Sequence, residues 1–278
     1  MEPKPMNRQP DLTDRVALTR NRDRARKMAA PATFLQEEAV MEIQERLSLV
    51  NKSFIAPAIV TGWPELWGGI VSNAVIVSDS ETLELEPGAH DLVIHAMSLH
   101  WANDPVGQLI QCRRALKPDG FFLGALLGGQ TLHELRAVLA ESETEVLSGL
   151  SPRVAPMAEI RDLGALMQRA GFALPVADSH TLNVTYADLF ALMRDLRAMG
   201  EANALAARLK RPLPRMLFAD AAARYCKAFP AEQGRINATF ETIYLAGWAP
   251  DESQPKPLRP GSATARLADV LGTDETKL

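Results

Sequence analysis

The sequence predicts an α/β fold: an open, mostly parallel sheet covered by helices on both faces. Three observations predict it. HDLVIHAMSL (90–99) and FFLGALLGG (121–129) are continuous apolar runs, as expected of strands buried on both faces. Between them, DPVGQLIQCRRALKPDG (104–120) sets Val106, Leu109, Ile110 and Leu116 on one helical face. The stretch therefore reads strand, helix, strand, the right-handed crossover unit of parallel sheets. INATFETIYLAGWAP (236–250) alternates over a long span and adds a late strand, reached only after extra helices.

The remaining elements follow in chain order. Residues 1–12 are polar and Pro-rich. ALTRNRDRARKMA (17–29) is basic through Arg20, Arg22, Arg24, Arg26 and Lys27 and reads as a helix whose Arg cluster is either a solvated face or a contact for an anion or partner. FLQEEAVMEIQERLSLV (34–50) carries a helical stripe. SFIAPAIVTGWP (53–64) contains a short strand that Pro57 pushes toward a sheet edge. NAVIVSDSETLEL (73–85) is strand then turn. In 104–120, Asp104 or Asn103 caps the helix, Pro105 begins it, and KPDG stops it, with Gly120 in the terminating turn. Helices are expected over 131–147, over 159–172 ending at Gly171, over the whole of 187–209, and over 214–229. LPVADSHTLNVTY (174–186) is a strand with a bend. The chain divides into an N-terminal helical arm (1–50), a body (51–250) with a helical insertion at about 187–230, and a Pro-rich tail (251–278) holding Gln254, Lys256 and Arg259.

Bulk properties exclude several classes. The chain has 278 residues and 47% apolar content, enough for a large core. A net charge of -4 gives no reason to expect nucleic acid. Cys112 and Cys226 form neither a metal cage nor a disulfide framework and read as buried or half-buried thiols. No window reaches about 18 apolar residues, so no membrane span is expected. The N-terminus lacks the apolar core of a signal peptide. A cytoplasmic location, extending to the periphery of the inner membrane face, is the expectation. No HxH, HExxH or CxxC spacing supports a metal, and GxSxG is absent.

DLVIHAMSLHWANDPVGQLIQCRRALKPDGFFLGALLGGQTLHELR (91–136) resembles the second half of the S-adenosylmethionine-dependent methyltransferase fold, in the manner of the malonyl-ACP O-methyltransferases of biotin synthesis. GLSPRVAP, RDLGALMQRAGF, LMRDLRAMGEAN, YLAGWAPDESQPKP and RPGSATARLADV resemble the mitochondrial complex I assembly factor methyltransferase family. That family is associated with arginine hydroxylation on a complex I subunit. The resemblance implies a Rossmann-like class I methyltransferase sheet with extra helices, S-adenosylmethionine as cofactor, and a respiratory complex I subunit as partner.

One part departs from the pattern. Class I methyltransferases carry a motif like LDLGCGTG after the first strand, where glycines let the backbone approach the methionine moiety. Here the equivalent stretch is SFIAPAIVTGWPELWGG (53–69), with Gly62 alone near the loop and Trp63-Pro64 behind it. Only roughly thirty residues separate Gly62 from Asp91, and each crossover with its helix needs about 10–12 before strands are counted. The second strand is therefore expected to be missing or vestigial, and its ribose carboxylate lost.

The resemblance places Gly62 at the cofactor loop, Asp79 after the third strand near the adenine, and Ala96 and Met97 along the cofactor at the end of the fourth strand. His100 and Trp101 fall at the cleft rim, with Arg153 and Glu201 on its substrate side. Each also has a plainer reading: a turn aspartate, a histidine packed at a strand–helix seam with no acid in sight, ordinary salt bridges. His95 reads as a core histidine. Two functions stay open, an enzyme that modifies a complex I subunit and a methyltransferase-fold scaffold without S-adenosylmethionine. A third, small-molecule carboxyl methylation, fits the downstream motifs less well.

Overall fold

The computed structural model describes residues 10–255. Two N-terminal helices, α1 (Arg15–Arg26) and α2 (Phe34–Leu49), precede strand β1 (Pro57–Thr61), a single-turn helix α3 (Pro64–Trp67) and strand β2 (Val75–Ser78). Then come β3 (His90–Ala96), α4 (Pro105–Ala115), β4 (Leu116–Leu127), α5 (His133–Leu147) and α6 (Ile160–Arg169). The chain continues through β5 (Ala173–Tyr186), α7 (Leu189–Ala198), α8 (Arg215–Ala228) and β6 (Ile236–Trp248).

These strands form one sheet in the order β2-β1-β3-β4-β6-β5. The first four are parallel, while β6 is antiparallel to both β4 and β5. The period-2 alternation of strand side chains divides the core between the two faces. Ile59, Leu92, Ile94, Leu123 and Ala125 face the layer built by α2, α5, α7 and α8. Ala58, Val60, Val93, Phe122 and Leu126 face α4 and α6. Each large side chain sealed there contributes roughly 1.5–3 kcal/mol over its exposed state.

The sheet is one strand short, as the short gap after Gly62 predicts. Only α3 and the four-residue β2 stand between β1 and β3, and β2 pairs directly with β1. The position beside β1 is thus filled by β2, the strand that Asp79 directly follows. Four local expectations are corrected. Pro57 begins a central strand: β1 lies between β2 and β3, and Pro at the first strand position removes no donor that the ladder needs. The KPDG segment does not stop α4. The helix ends at Ala115, KPDG lies within β4, and Asp119 rather than Gly120 takes the left-handed φ, 56°. Three extra residues are absorbed where the register jumps from His90↔Leu116 to Leu92↔Phe121. Cys112 is buried and its burial raises the thiol's pKa, but Cys226 is exposed.

The fourth correction shapes the site. The helix expected over 187–209 stops at Ala198. Gly200, at φ 79°, closes it in a Schellman turn, with Glu201 N–H donating to Leu196 O at 3.0 Å and Gly200 N–H to Arg197 O at 3.2 Å. A Cβ on Gly200 would lie 3.1 Å from the Trp63 ring, so backbone and indole pack closely. The turn sends Glu201 back toward the ends of the strands. The other terminators behave as read: Asp104 caps α4 by accepting from Gly107 N at 2.8 Å, and Gly171, at φ 84°, ends α6. The tail from residue 256, with Lys256 and Arg259, lies outside the described residues.

Candidate functional site

In open α/β sheets ligands sit outside the carboxyl ends of the strands, where the strand order reverses. Here the reversal falls at β1, whose neighbours are β2 on one side and β3 on the other. The ends of these strands present Thr61-Gly62-Trp63, Asp79 and Ala96-Met97.

Helix α1 lies across this place. Its Arg22 is 4% exposed, and Nη1 donates to Asp79 Oδ1 and Oδ2 at 3.0 and 2.9 Å. Arg15 adds a second guanidinium, with Nη2 3.2 Å from Asp79 Oδ1. A Cβ at Gly62 would overlap the Arg22 guanidinium, so the space that glycine leaves for a ligand holds an arginine. Arg26 donates to the Gly62 carbonyl and to Glu65, and lies 4.9 Å over the Trp63 ring. Trp63 itself is buried, its backbone N–H donating to Thr61 Oγ1 at 3.0 Å while its indole N–H has no partner. Burial alone would raise the Asp79 carboxyl, but the Arg22 and Arg15 charges hold it below its ordinary range. Arg22 keeps Nε and Nη2 without partners, so the buried pair is only half satisfied.

S-adenosylmethionine needs an open backbone cradle after β1 and a free carboxylate at the neighbouring strand end. In this arrangement the cradle is filled and the carboxylate is shared by two arginines. The residues do not fit the cofactor while α1 is in place.

A second constellation lies on the α2 and α5 side. Trp101 Nε1 donates to Glu201 Oε2 at 2.7 Å, and His100 Nε2 stands 3.4 Å from the same oxygen. His100 Nδ1 accepts from Leu127 N–H at 3.4 Å, which leaves Nε2 to donate. The acid missing from the sequence reading of His100 is therefore Glu201, 101 residues later. Burial raises the Glu201 carboxyl, but the hydrogen bonds from His100 and Trp101 and the Arg22 charge nearby outweigh it and hold the carboxyl below its ordinary range. Glu201 borders an apolar cavity of about 240 Å³ walled by Leu35, Leu135, Met193 and Phe240. Arg153 is on the same wall, forked onto Glu143 at 2.6 and 3.2 Å. Glu143 also accepts from Ser151 N–H and Oγ, so it pins the loop that forms this side.

The predicted residues thus divide. Glu201, Trp101 and Arg153 border one cavity, with His100 behind them. Gly62 and Asp79 border a second, more polar one with Arg22. Ala96 and Met97 border neither; they are buried at 1% and 2% exposure, Met97 with φ 46°. The sequence reading missed Arg15 and Glu143, and it left Arg22 in a cluster read as a solvated face or an anion or partner contact without naming Asp79 as its partner. A signal existed: Arg15, Leu18, Arg22 and Ala25 share one helical face, and Leu18 and Ala25 are core residues. Arg20, Arg24 and Lys27 are exposed, as expected of the charged face.

Acid should expose these carboxylates. Asp79 and Glu201 both have folded pKa values below their ordinary 3.8 and 4.5. Their contribution to stability is complete above those values and is lost as pH falls through the lower folded ones. Urea unfolding followed downward from neutral pH should show the loss setting in only in the acid range, and Glu201→Gln should flatten it. A steep loss near neutrality would contradict the assignment.

Among the described residues, no cluster of three or more His, Cys, Asp or Glu could hold a metal, and no helix is long and apolar enough to cross a membrane. A family model described as "Methyltransferase domain" matches residues 64–124. Arginine-hydroxylase NDUFAF5, mitochondrial, of Danio rerio is 40% identical over 195 residues, covering 70% of this chain and 60% of that protein. The Homo sapiens protein of the same name is 41% identical over 200 residues, covering 72% and 58%. The chain thus spans less than two thirds of the length of these hydroxylases. Malonyl-[acyl-carrier protein] O-methyltransferase of Methylovorus sp. (strain MP688) is 32% identical over 222 residues, covering 80% and 71%. The hydroxylases carry "mitochondrial" in their names, which overturns the cytoplasmic location expected from the sequence.

Proposed function

The chain belongs to the class I S-adenosylmethionine-dependent methyltransferase superfamily, and we propose that it serves respiratory complex I assembly by holding a subunit of that complex at the Glu201 cavity. In this reading it acts without S-adenosylmethionine. The observation that carries the second part is the Arg22–Asp79 pair over Gly62. A half-buried cavity of preformed shape, mostly apolar with a few convergent polar groups, is the ordinary form of a binding site. The likeness to the arginine hydroxylases supports the choice of partner, and the weaker likeness to a carboxyl methyltransferase leaves small-molecule methylation the lesser alternative.

A second reading keeps catalysis. The buried constellation of His100, Trp101 and Glu201 beside the cavity favours it, as does the activity in the relatives' name. Methyl transfer is mainly alignment, but hydroxylation needs an oxidant that no residue group in the site identifies.

Calorimetric titration of the purified chain with S-adenosylmethionine and S-adenosylhomocysteine separates the two. The expected result is no heat and no thermal shift up to millimolar ligand in the wild type. Arg22→Ala, which empties the space beside Gly62, provides the comparison. Micromolar binding by the wild type would overturn the cofactor-free reading.

A further inference from the structure

We infer that the free edge of β5 is an interface between two copies of this chain, which pair their β5 strands antiparallel about a two-fold axis through Thr181 and join their sheets into one. β5 is the last strand of the sheet, with a neighbour, β6, on one side only. An open edge is a row of unpaired backbone donors and acceptors, and native proteins blunt it with a short strand, a proline, a bulge or charges. The other edge of this sheet follows that rule, since β2 has 4 residues. β5 has 14, and its protection sits at its two ends. Pro175 and the register shift between Ala173 and Val176 mark one end. Arg235 marks the other, donating from Nε to Thr185 Oγ1 at 2.9 Å and from Nη2 to the Thr185 carbonyl. Between them, Ala177 to Val184 holds no Lys, Arg, Pro or Gly. Its one carboxylate, Asp178, is matched by Arg46, and His180 by Glu38. Asp178, Ser179, His180 and Thr181 are exposed in succession, so water reaches both faces of the sheet there.

The occupant is a second copy because this edge is complementary to itself. Along an antiparallel strand, successive residues send their backbone groups alternately to one neighbour and to the other. Two copies of β5 can therefore pair only with the axis on a residue, which sets outward groups against outward groups and like face against like face. Thr181 is the middle residue of the stretch 177–185. With the axis there, Thr181 opposes Thr181, Ser179 opposes Asn183, His180 opposes Leu182 and Asp178 opposes Val184. No like charges meet, and a Thr–Thr pair is among the favourable cross-strand pairs. The interface lies at the opposite end of the sheet order from β1 and β2, so it leaves Asp79 and the α1 contacts untouched.

Sedimentation equilibrium of the full chain should give the mass of a dimer at roughly 50 µM, where a micromolar dissociation constant leaves the dimer predominant. Thr181→Lys and Thr181→Asp each set like charges opposite one another at the axis and should raise the dissociation constant about fivefold, the upper end for one cross-strand pair. An equal mixture of the two should dimerise like the wild type. Thr181→Cys, made together with Cys226→Ser because Cys226 is exposed, should cross-link to its own copy under mild oxidation. Directly opposed residues lie about 4.5–5.5 Å apart at Cα, inside the disulfide range. Asn183→Cys in the same background should not cross-link, because its partner position is Ser179. A monomeric mass, with the edge open or taken by another strand, overturns the inference. So does a dimer that the charge variants leave unchanged, or one in which Asn183→Cys cross-links as readily as Thr181→Cys.

Discussion

Asp79→Ala should cost this protein about 3–5 kcal/mol, the range for breaking a buried ion pair by removing one partner. Asp79 is 3% exposed and Arg22 4%. Without the carboxylate, the Arg22 guanidinium is left in the core beside Gly62 with Nη1 unpaired as well as Nε and Nη2. Arg15, with 26% of its side chain exposed, can turn to water and does not rescue the site. The paired replacement Arg22→Met with Asp79→Leu should recover most of the loss, because exchanging a buried pair for apolar residues is often neutral or stabilising. Urea unfolding of the wild type, both single variants and the double variant measures this directly. If Asp79→Ala alone falls within about 1 kcal/mol of wild type, the range of an exposed pair, the bridge is not the buried latch described here.

The second large effect concerns the apolar cavity. If the proposed complex I subunit binds at this cavity, Ala202→Trp should reduce its association by at least about tenfold, the equivalent of 1.4 kcal/mol. Ala202 is half-buried and borders the cavity. Its structural duty is carried by the backbone, where its carbonyl accepts from Asn21 Nδ2 at 2.9 Å, so the side chain is free to change. An indole there enters existing space of about 240 Å³ and not a filled core, where overpacking would cost about 1–3 kcal/mol. Co-purification with the subunit, beside a thermal melt, checks both parts. Unchanged association with an unchanged melt would move the partner to another surface.

The sequence by itself determined the layers of the fold. The apolar runs 90–99 and 121–129 read as doubly buried strands because burial on both faces leaves no room for alternation, and they are β3 and β4. Set against the methyltransferase pattern, the shortened stretch after Gly62 announced a missing strand, since a crossover has a minimum length. Asp104-Pro105 marked the start of α4 through local capping chemistry. The two halves of the site were legible as residue types: Gly62 and Asp79, and Trp101, Arg153 and Glu201.

Tertiary structure alone decided what those residues touch. Arg22 and Asp79 are 57 positions apart, and Trp101 and Glu201 are 100; no periodicity reaches that far. The loss of one strand brought β2, and with it Asp79, directly beside β1. Gly200 turned a predicted long helix into the corner that returns Glu201 to the strand ends. Local propensity acts over a few residues, whereas a buried charge is placed by whichever opposite charge packing brings within reach. The sequence named Asp79 and Glu201, and only the folded chain set Arg22 against Asp79 and Gly62.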